Sequence, residues 1–262
     1  MRLIFLGTGT SFGVPQIGCR CATCTSADRR DRRTRTAALI ETHGKRLLID
    51  TPPELRLQLV AAGVDHIDAV LFTHAHADHV HGIDDLRALS VRQGAMLPAY
   101  GSRATMAELA AKFPYIFDPS IVVPVGTSKP ELQAHVLEAG KTTSIAGVPV
   151  LPLSLPHGDH AVFGYRIGAV AYLTDVKTIP DDVVTALTGG GLDVLVLNAL
   201  LSHPHPLHLS VPEAVAAAQR VGARRTFFTH LTHENTHVAL AAKLPPGIAP
   251  AYDGLVIDLP GA

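Results

Sequence analysis

Four potential metal ligands directly after a short apolar run constrain this chain more than any other feature of its sequence. The run, Ile67-Asp68-Ala69-Val70-Leu71-Phe72, is typical of a buried strand, and the segment His74-Ala75-His76-Ala77-Asp78-His79 follows it closely. Helix or strand periodicity does not point four such side chains in one direction, whereas a tight loop with small alanine spacers can place them around one or two ions. Imidazole and carboxylate ligands together favour zinc, iron or manganese, since calcium prefers a shell of oxygen atoms.

A polar surface turn is the simpler interpretation of a lone histidine pair. The longer pattern H-x-H-x-D-H after an apolar strand favours a metal site, because ligand type, spacing and structural context agree. Three or four ligands cannot saturate two ions, so we expect further ligands at later strand ends. His157, Asp175 and His230 each lie just after a predicted strand, although any one of them alone would be typical of a cap or a surface residue.

Composition sets the bounds for the whole chain. A chain of 262 residues, 47% of them hydrophobic, with no break in composition, predicts one domain over residues 1–262. The formal net charge of −1 gives no general electrostatic reason to bind nucleic acid or an anionic membrane. The apolar start at residues 1–6 is too short for a signal peptide, and no apolar run approaches a membrane span, so we expect a cytoplasmic protein.

Strand and helix candidates alternate along the chain, after an early hairpin. The first strands are predicted at residues 3–6, 37–41 and 46–50, a helix at residues 52–62, and another helix beginning near Ile83. The later candidates are residues 96–100, 104–112, 132–138, 148–155, 162–167, 170–173, 181–187, 194–197, 212–221, 226–228, 235–244 and 255–257. This interleaving predicts an α/β fold with mixed sheets, but the pattern does not distinguish one sheet from two.

The three cysteines of the chain, Cys19, Cys21 and Cys24, all lie within six residues. They are too close for unstrained disulfides but well spaced for three corners of a tetrahedral zinc site. We predict His233 as the fourth ligand, because it follows His230 by three residues and one strand exit could then serve both sites. Free reduced cysteines are the alternative.

The ligand order H-x-H-x-D-H, His, Asp, His resembles that of the metallo-β-lactamase superfamily of binuclear hydrolases. The resemblance implies an αββα four-layer sandwich of two mixed β-sheets with outer helices. It also implies one metal at His74, His76 and His157, a second at Asp78, His79 and His230, and Asp175 bridging the two. His160 is an alternative to His157. Asp50, at a predicted strand end, could orient a ligating imidazole or simply begin the following turn.

The cysteines extend the resemblance over nearly the whole chain. Together with Gly7-Thr8-Gly9, Gly13-Val14-Pro15, Phe163-Gly164-Tyr165 and Thr229-His230-x2-His233, they are similar to the superfamily branch containing the phosphodiesterase of the carbon–phosphorus lyase pathway. That resemblance implies a metal-dependent phosphodiesterase for a small cyclic phosphodiester such as 5-phosphoribosyl 1,2-cyclic phosphate. It further implies two divalent active-site ions, zinc or manganese, and one structural zinc in a knuckle insertion near residues 19–24.

Two cations about 4 Å apart can generate hydroxide at neutral pH and clamp the oxygens of an in-line displacement at phosphorus. The leaving oxygen then still needs a proton. The Pro-rich loop at residues 198–210 carries three histidines, and His208 matches the family histidine that contacts phosphate, so we predict it as the general acid. Asp78 is the other predicted catalytic residue. For His203 and His205 we favour an interpretation as loop surface.

Two other segments could contact phosphate. The arginines at residues 29–35 could bind phosphate oxygens, although a solvated connector is the favoured interpretation for most of them. The loop Gly7-Thr8-Gly9-Thr10 lacks the lysine of a P-loop, so close approach of its backbone to the metal site explains the glycines better.

Several functions compete with the phosphodiesterase. A transfer-RNA 3′-processing endonuclease shares the ligands and the Gly164-Tyr165-Arg166 motif, but residues 112–136 are too short and too weakly basic for its RNA-gripping arm. A redox relative, similar to the B protein of pyrroloquinoline quinone biosynthesis, is disfavoured by the complete ligand set. Thioester or lactam hydrolysis stays open, because fold does not fix function. We expect a small phosphodiester as partner, and neither nucleic acid nor membrane. The oligomeric state stays open, with a homodimer among the alternatives.

Overall fold

The computed structural model of the chain describes residues 1–260, and its strands form two sheets of seven. The strands are β1 (Arg2–Gly7), β2 (Ala37–Thr42), β3 (Lys45–Ile49), β4 (Ala69–Leu71), β5 (Leu97–Gly101), β6 (Leu132–Val136), β7 (Thr143–Ile145), β8 (Val148–His157), β9 (His160–Ile167), β10 (Val170–Leu173), β11 (Val194–Asn198), β12 (Arg225–Thr229), β13 (Ile248–Pro250) and β14 (Val256–Asp258). The helices are α1 (Leu55–Ala61), α2 (Ala77–Val80), α3 (Arg87–Gln93), α4 (Arg103–Lys112), α5 (Pro114–Phe117), α6 (Asp181–Thr188), α7 (Val211–Val221) and α8 (His237–Ala241).

Each sheet is half antiparallel and half parallel. The first has the order β14-β1-β2-β3-β4-β5-β6, and its pairs are antiparallel from β14 to β3 and parallel from β3 to β6. The second has the order β13-β12-β11-β10-β9-β8-β7, parallel from β13 to β10 and antiparallel from β10 to β7. The prediction of mixed sheets is therefore confirmed, and there are two of them.

Three apolar clusters separate four layers. In β3, Leu47 and Ile49 pack between the sheets, whereas Leu48 packs beneath the helices of the first sheet. This alternation follows the two-residue period of a strand, and a strand buried on both faces reads as an unbroken apolar run. Between the sheets, the rings of Phe5 and Phe227 lie 5.8 Å apart, and a third cluster lies beneath the helices of the second sheet. The predicted αββα sandwich is confirmed.

Local sequence signals explain most element boundaries. Helix α7 begins with a capping box, in which Ser210 and Glu213 satisfy each other's backbone N–H groups, and it ends at Gly222 with φ +72°. The helix predicted near Ile83 begins instead as a 3-10 turn, Ile83–Leu86, and becomes α3 at Arg87. The three-residue edge strands of the second sheet, β7 and β13, were not predicted, because pairing with a neighbouring strand rather than periodicity defines them.

The direction of the strands brings the predicted ligands to one edge. Strand β8 is antiparallel to β9, which is antiparallel to β10, so β8 runs in the same direction as β10, β11 and β12. Their carboxyl ends consequently lie at the same edge of the second sheet, where open α/β sheets bind ligands. Among residues 1–260, every helix is too short or too polar to cross a lipid bilayer.

The arginine-rich segment is a structural connector between β1 and β2, and Arg33 is neither solvated nor free for phosphate. Its side chain is 1% exposed, donates to the carboxylate of Asp31 at 3.2 Å and to the carbonyl of Asn235 at 3.1 Å, and also bonds the carbonyl of Thr232. An ion pair so deeply buried is costly to break on one side, since the remaining charge would be uncompensated. The phosphate-binding interpretation is wrong for Arg33.

Asp253 makes stability pH-dependent. Its carboxylate accepts hydrogen bonds from the Thr34 backbone N–H at 2.7 Å and from the Thr8 hydroxyl at 2.7 Å, yet burial raises its pKa to about 6. Because the Asp253 carboxyl binds a proton more tightly in the folded state than in the unfolded state, its contribution to the free energy of unfolding is complete below pH 4 and falls as the pH rises to about 6.

The free energy of unfolding of the wild type, measured relative to that of Asp253→Asn, should therefore fall by at most about 3 kcal/mol between pH 4 and pH 7. Urea unfolding at each pH measures it, and a constant difference would contradict the assignment.

Candidate metal centre

The structure brings all seven predicted ligands of the binuclear site together at the edge between the two sheets. They lie at strand ends or in the loop that continues into α2: His74, His76, Asp78, His79, His157, Asp175 and His230. One group of four has ligand atoms within 4.8 Å of one another and contains His74, His76, His157 and Asp175; the second contains Asp78, His79, Asp175 and His230. Asp175 belongs to both groups, which is the arrangement that a bridging carboxylate requires.

The distances between these side chains fit cations. The Asp175 carboxylate lies 3.5 Å from Nε2 of His74, 3.2 Å from Nε2 of His79 and 3.3 Å from Nε2 of His230. Atoms about 2.1 Å from a shared tetrahedral ion lie about 3.4 Å apart. Nε2 of His79 and both ring nitrogens of His230 are buried without a hydrogen-bond partner among residues 1–260. Buried polar atoms are rarely left unpaired, so these residues fit a pair of divalent metals.

One carboxylate orients a ligand of each group. Asp50 accepts from Nδ1 of His79 at 2.8 Å, and it also accepts from the Thr73 hydroxyl at 2.8 Å. That hydroxyl has a single proton, so it must in turn accept from Nδ1 of His74, 3.0 Å away. Both rings therefore carry their proton on Nδ1 and present Nε2 to the centre, as metal-ligating histidines commonly do. This geometry agrees with the prediction that Asp50 orients a ligating imidazole.

His157 is oriented by the backbone instead. Its Nδ1 lies 3.2 Å from the carbonyl of Leu207, and a carbonyl can only accept, so Nδ1 carries the proton and Nε2 is left free. His160, the alternative ligand, lies at the start of β9, is exposed and belongs to neither group. The choice of His157 over His160 agrees with this placement.

Three residues of the centre hold the left-handed backbone conformation. Asp50, Asp175 and His230 have φ of 62°, 58° and 56°, immediately after β3, close after β10 and immediately after β12. This conformation costs a residue other than glycine about 1–3 kcal/mol, and such strain concentrates at functional sites. For Asp175 the turn is fixed from outside, because the side-chain oxygen of buried Asn198 accepts from the Val176 N–H at 2.8 Å. The fold thus holds these side chains in place at a cost in stability.

Burial and charge act in opposite directions on the ligands. Burial opposes protonation of His79, but the carboxylates of Asp175 and Asp50 raise its pKa well above the usual value. Burial likewise opposes ionisation of Asp175, but the imidazoles of His230 and His79 hold the pKa of that carboxyl well below its usual range. The carboxylates and imidazoles of the centre therefore favour each other's charged forms.

His208 lies beside the centre without belonging to either ligand group. Its ring is stacked on that of His230 at 4.9 Å and lies 5.0 Å from that of His157. Burial lowers the pKa of His208 to about 3, and its Nδ1 has no partner among residues 1–260. His203 is exposed, as expected for loop surface, but His205 is half-buried with its ring 5.1 Å from that of His208. The loop-surface interpretation therefore stays a prediction for His205.

The cysteine knuckle forms a second candidate metal site. Nδ1 of His233 lies 3.2 Å from Sγ of Cys19, 3.6 Å from Sγ of Cys21 and 3.4 Å from Sγ of Cys24. With Zn–S of about 2.3 Å and Zn–N of about 2.0–2.1 Å, tetrahedral geometry separates sulfur and nitrogen by about 3.6 Å. The prediction of His233 as the residue that completes the cysteine group agrees with this geometry, and the four residues fit one zinc ion.

Backbone amides around the knuckle favour thiolate. The N–H of Cys24 donates to Sγ of Cys21 at 3.4 Å and lowers the pKa of that thiol to about 6. The N–H of Gln16 donates to Sγ of Cys24 at 3.3 Å, although burial raises the pKa of Cys24 to about 11. A cation at the knuckle would stabilise the thiolate form of all three sulfur atoms.

Thr73 is the residue of the centre that sequence reasoning missed. A threonine at the end of an apolar strand is typical of β-structure, so its hydroxyl gave no signal of its own. The available signal was the position of Thr73 directly before the ligand loop. Because β3 and β4 are adjacent and parallel, the carboxylate of Asp50 at the end of β3 comes close to it.

Comparison with known proteins agrees with the two-sheet fold described above. A family model described as beta-lactamase superfamily domain matches residues 45–231. A crystal structure described as a new diphosphatase from the PhnP family has a TM-score of 0.89 and 39% identity, covering 98% of this chain and 97% of that one. The Zn²⁺-bound PqqB from Methylobacterium extorquens has a TM-score of 0.78 at 21% identity, covering 99% of this chain and 100% of that one, and shows the shared fold alone.

A longer relative contains a similar region. The octanoyltransferase of Porphyromonas gingivalis is 38% identical over 266 residues, which cover 100% of this chain and 52% of that protein. This chain therefore spans about half the length of that relative.

Replacing Asp50 should lower the affinity of the binuclear centre for both metal ions. In Asp50→Asn the direct contact to His79 and the Thr73-mediated contact to His74 both lose their charged acceptor, so we expect a loss of about 10–100-fold in metal affinity. Competition with a chromogenic chelator measures it. Asp68→Asn, a carboxylate at the opposite end of β4 that pairs with Lys45, is the matched control. Wild-type affinity at both ions in Asp50→Asn would contradict the orienting role.

The knuckle has its own test. Cys21→Ser should lower the metal content by about one ion per chain and lower the melting temperature, since structural zinc contributes folding free energy. Elemental analysis and thermal unfolding measure these, with the exposed neighbour Arg20→Ala as control. Unchanged metal content together with unchanged stability would remove the assignment.

Proposed function

We propose that the chain, which belongs to the beta-lactamase superfamily and within it to the PhnP family, is a metal-dependent phosphodiesterase for small phosphodiesters such as 5-phosphoribosyl 1,2-cyclic phosphate. The observation that carries the proposal is the pair of ligand groups sharing Asp175, with the His208 ring stacked at their side. Two sites that share a carboxylate suit the displacement of one oxygen by another at phosphorus.

Different residues of the chain would bind the two ions of this centre. His74, His76 and His157 would hold one divalent ion, Asp78, His79 and His230 the other, and Asp175 both. Bound there, zinc or manganese would supply Lewis-acid activation of water and neutralise charge that develops on the phosphoryl oxygens.

Protons are moved by two side chains in this proposal. A water oxygen bonds to phosphorus and releases a proton, which the partly exposed carboxylate of Asp78 accepts. The bond from phosphorus to the leaving oxygen breaks, and the His208 ring donates a proton to that oxygen. An anionic phosphate beside this ring would favour its protonated form and so offset the effect of burial. The products are a phosphomonoester and an alcohol, or one molecule carrying both groups when the ester is cyclic.

A diphosphate is the second candidate substrate. The similar structure with 39% identity is described as a diphosphatase, and a P–O–P bond is cleaved by the same in-line displacement. The residues between α4 and β6 argue against RNA, because the segment 113–131 contains Lys129 as its single basic residue. A protein arm that neutralises RNA phosphates needs several.

Phosphorus NMR of the metal-loaded protein tests the proposal. We expect opening of 5-phosphoribosyl 1,2-cyclic phosphate, and a fall in kcat of about 10²–10⁴-fold in His208→Ala, because the leaving oxygen loses its proton donor. His203→Ala, an exposed histidine of the same loop, should retain wild-type turnover.

The panel of substrates also includes a 2′,3′-cyclic nucleotide, a diphosphate diester and a thioester. Cleavage of the diphosphate alone would favour the second candidate. Hydrolysis of the thioester alone would show that the centre does not act on phosphorus.

A further inference from the structure

A cavity of about 500 Å³ is lined by residues of α1, β1 and β14. Two other cavities open from the binuclear centre and are lined by its ligands, among them His76 in one and His230 in the other. None of the metal ligands lines the cavity at α1, which we call the α1 cavity. Its volume lies in the range that holds a small organic molecule, so it has room for a ligand of its own.

Apolar side chains form most of the wall of the α1 cavity. Leu57 and Ala61 line it from α1, Ile4 and Leu6 from β1, and Val256 from β14. Sites for small molecules are lined mainly by such side chains, and a few polar groups fix the orientation of the ligand. The wall therefore favours a ligand with an apolar part.

Asp253 is the acidic group of the α1 cavity. Its carboxylate accepts from the Thr8 hydroxyl at 2.7 Å, and from the backbone N–H and the hydroxyl of Thr34 at 2.7 and 2.6 Å. These donors are uncharged, and within residues 1–260 the carboxylate forms no ion pair. A charge withdrawn from water is costly without a counter-charge, so a cation in the cavity would stabilise the ionised carboxylate.

Gln58 supplies a second acceptor, and the orientation of its amide is fixed. Nε2 lies 2.8 Å from the carbonyl of Arg35 and 2.8 Å from the Thr34 hydroxyl. The carbonyl can only accept, and the Thr34 hydroxyl already donates its proton to Asp253, so the amide nitrogen must face both. Gln58 is 5% exposed, and its Oε1 has no hydrogen-bond partner among residues 1–260. Buried acceptors are rarely left unpaired, so Oε1 fits a donor supplied by a ligand.

The two acceptors and the apolar wall together define the class of ligand. Asp253 and Gln58 are both bonded to the Thr34 hydroxyl, which holds a carboxylate and an amide oxygen near each other. A calcium ion would need about six to eight oxygen ligands, more than these side chains offer. A primary ammonium group carries a compact positive charge and three N–H donors, which match a carboxylate and an amide oxygen.

We propose that the α1 cavity binds a small primary amine, with its ammonium group on the Asp253 carboxylate and Gln58 Oε1 and its apolar part against Leu57 and Ala61. This site goes beyond the proposed function and does not depend on it, because the cavity is lined by none of the metal ligands.

The first experiment compares two probes that share an apolar group and differ in charge. 2-Phenylethylamine and 2-phenylethanol are titrated into the metal-loaded protein and followed by NMR at about pH 7.5, where Asp253 is mostly ionised because its pKa is about 6. Charge-assisted hydrogen bonds to the carboxylate should make the Kd of the amine at least about 10-fold lower than that of the alcohol.

Two substitutions of carboxylates test the source of this preference. In Asp253→Asn the charge is lost at nearly constant shape, so the Kd of the amine should rise to that of the alcohol. Asp65→Asn is the matched control, because Asp65 is exposed and does not line the cavity, and it should keep the wild-type preference.

A second pair of variants locates the site without changing its polar groups. Ala61 is exposed on α1 and lines the cavity, whereas its neighbour Val60 is 70% exposed and does not line it. The indole ring of Ala61→Trp should fill the cavity and raise the Kd of both probes at least about 10-fold. Val60→Trp carries the same ring outside the cavity and should bind both probes as the wild type does.

Three results would overturn the proposal. Equal affinity of the wild type for amine and alcohol would show that the carboxylate does not recognise the ammonium group. Wild-type affinity for the amine in Ala61→Trp would show that the amine binds elsewhere, for example at the metal centre. Absence of saturable binding of the amine to the wild type would remove the site altogether.

Discussion

The interaction on which the rest of the structure depends is the approach of five imidazoles and two carboxylates, all of them buried except exposed His76 and half-buried Asp78. Such groups lose their hydration on burial, and the loss is recovered only if each finds a hydrogen bond, a counter-charge or a metal. Asp50 and the carbonyl of Leu207 accept from the Nδ1 atoms of His79 and His157. Nε2 of His79 and both ring nitrogens of His230 have no hydrogen-bond partner among residues 1–260. Cations are the partners that this arrangement fits best.

The two candidate metal sites depend on one short segment. His230 and His233 are three residues apart after β12, and the Arg33 guanidinium bonds the carbonyl of Thr232 between them. The N–H of Leu231 donates to the carbonyl of Thr8, which ties the same segment to the first sheet. A displacement of the knuckle would therefore be transmitted to His230 through four residues of backbone. The buried ion pair of Arg33 and Asp31 resists such a displacement, so this part of the arginine-rich segment holds the His230–His233 segment in place.

The sequence was sufficient for most of the centre and for the general fold. The ligands follow apolar strands, and parallel strand ends meet at one edge, so pattern and resemblance together located His74, His157, Asp175 and His230. What the sequence did not reveal depends on pairing across the chain. The buried state of Arg33 requires carbonyls some 200 residues away, and the edge strands β7 and β13 exist only because β8 and β12 lie beside them. Left-handed φ values at Asp50, Asp175 and His230 were also hidden, since these residue types carry no glycine signal.

The knuckle has a role beyond holding the chain together. Three apolar clusters already stabilise the sandwich, so a structural zinc is not needed to supplement a small core. The loop that it would fix lies beside the binuclear centre: the N–H of Gln16 bonds Sγ of Cys24, and His233 lines the same cavity as His208 and His230. A loop exposed to solvent on one side has few apolar contacts to hold it, and metal ligation would replace them. The rigidity that a metal-loaded knuckle would give the fold is therefore concentrated at the wall of the cavity beside the binuclear centre.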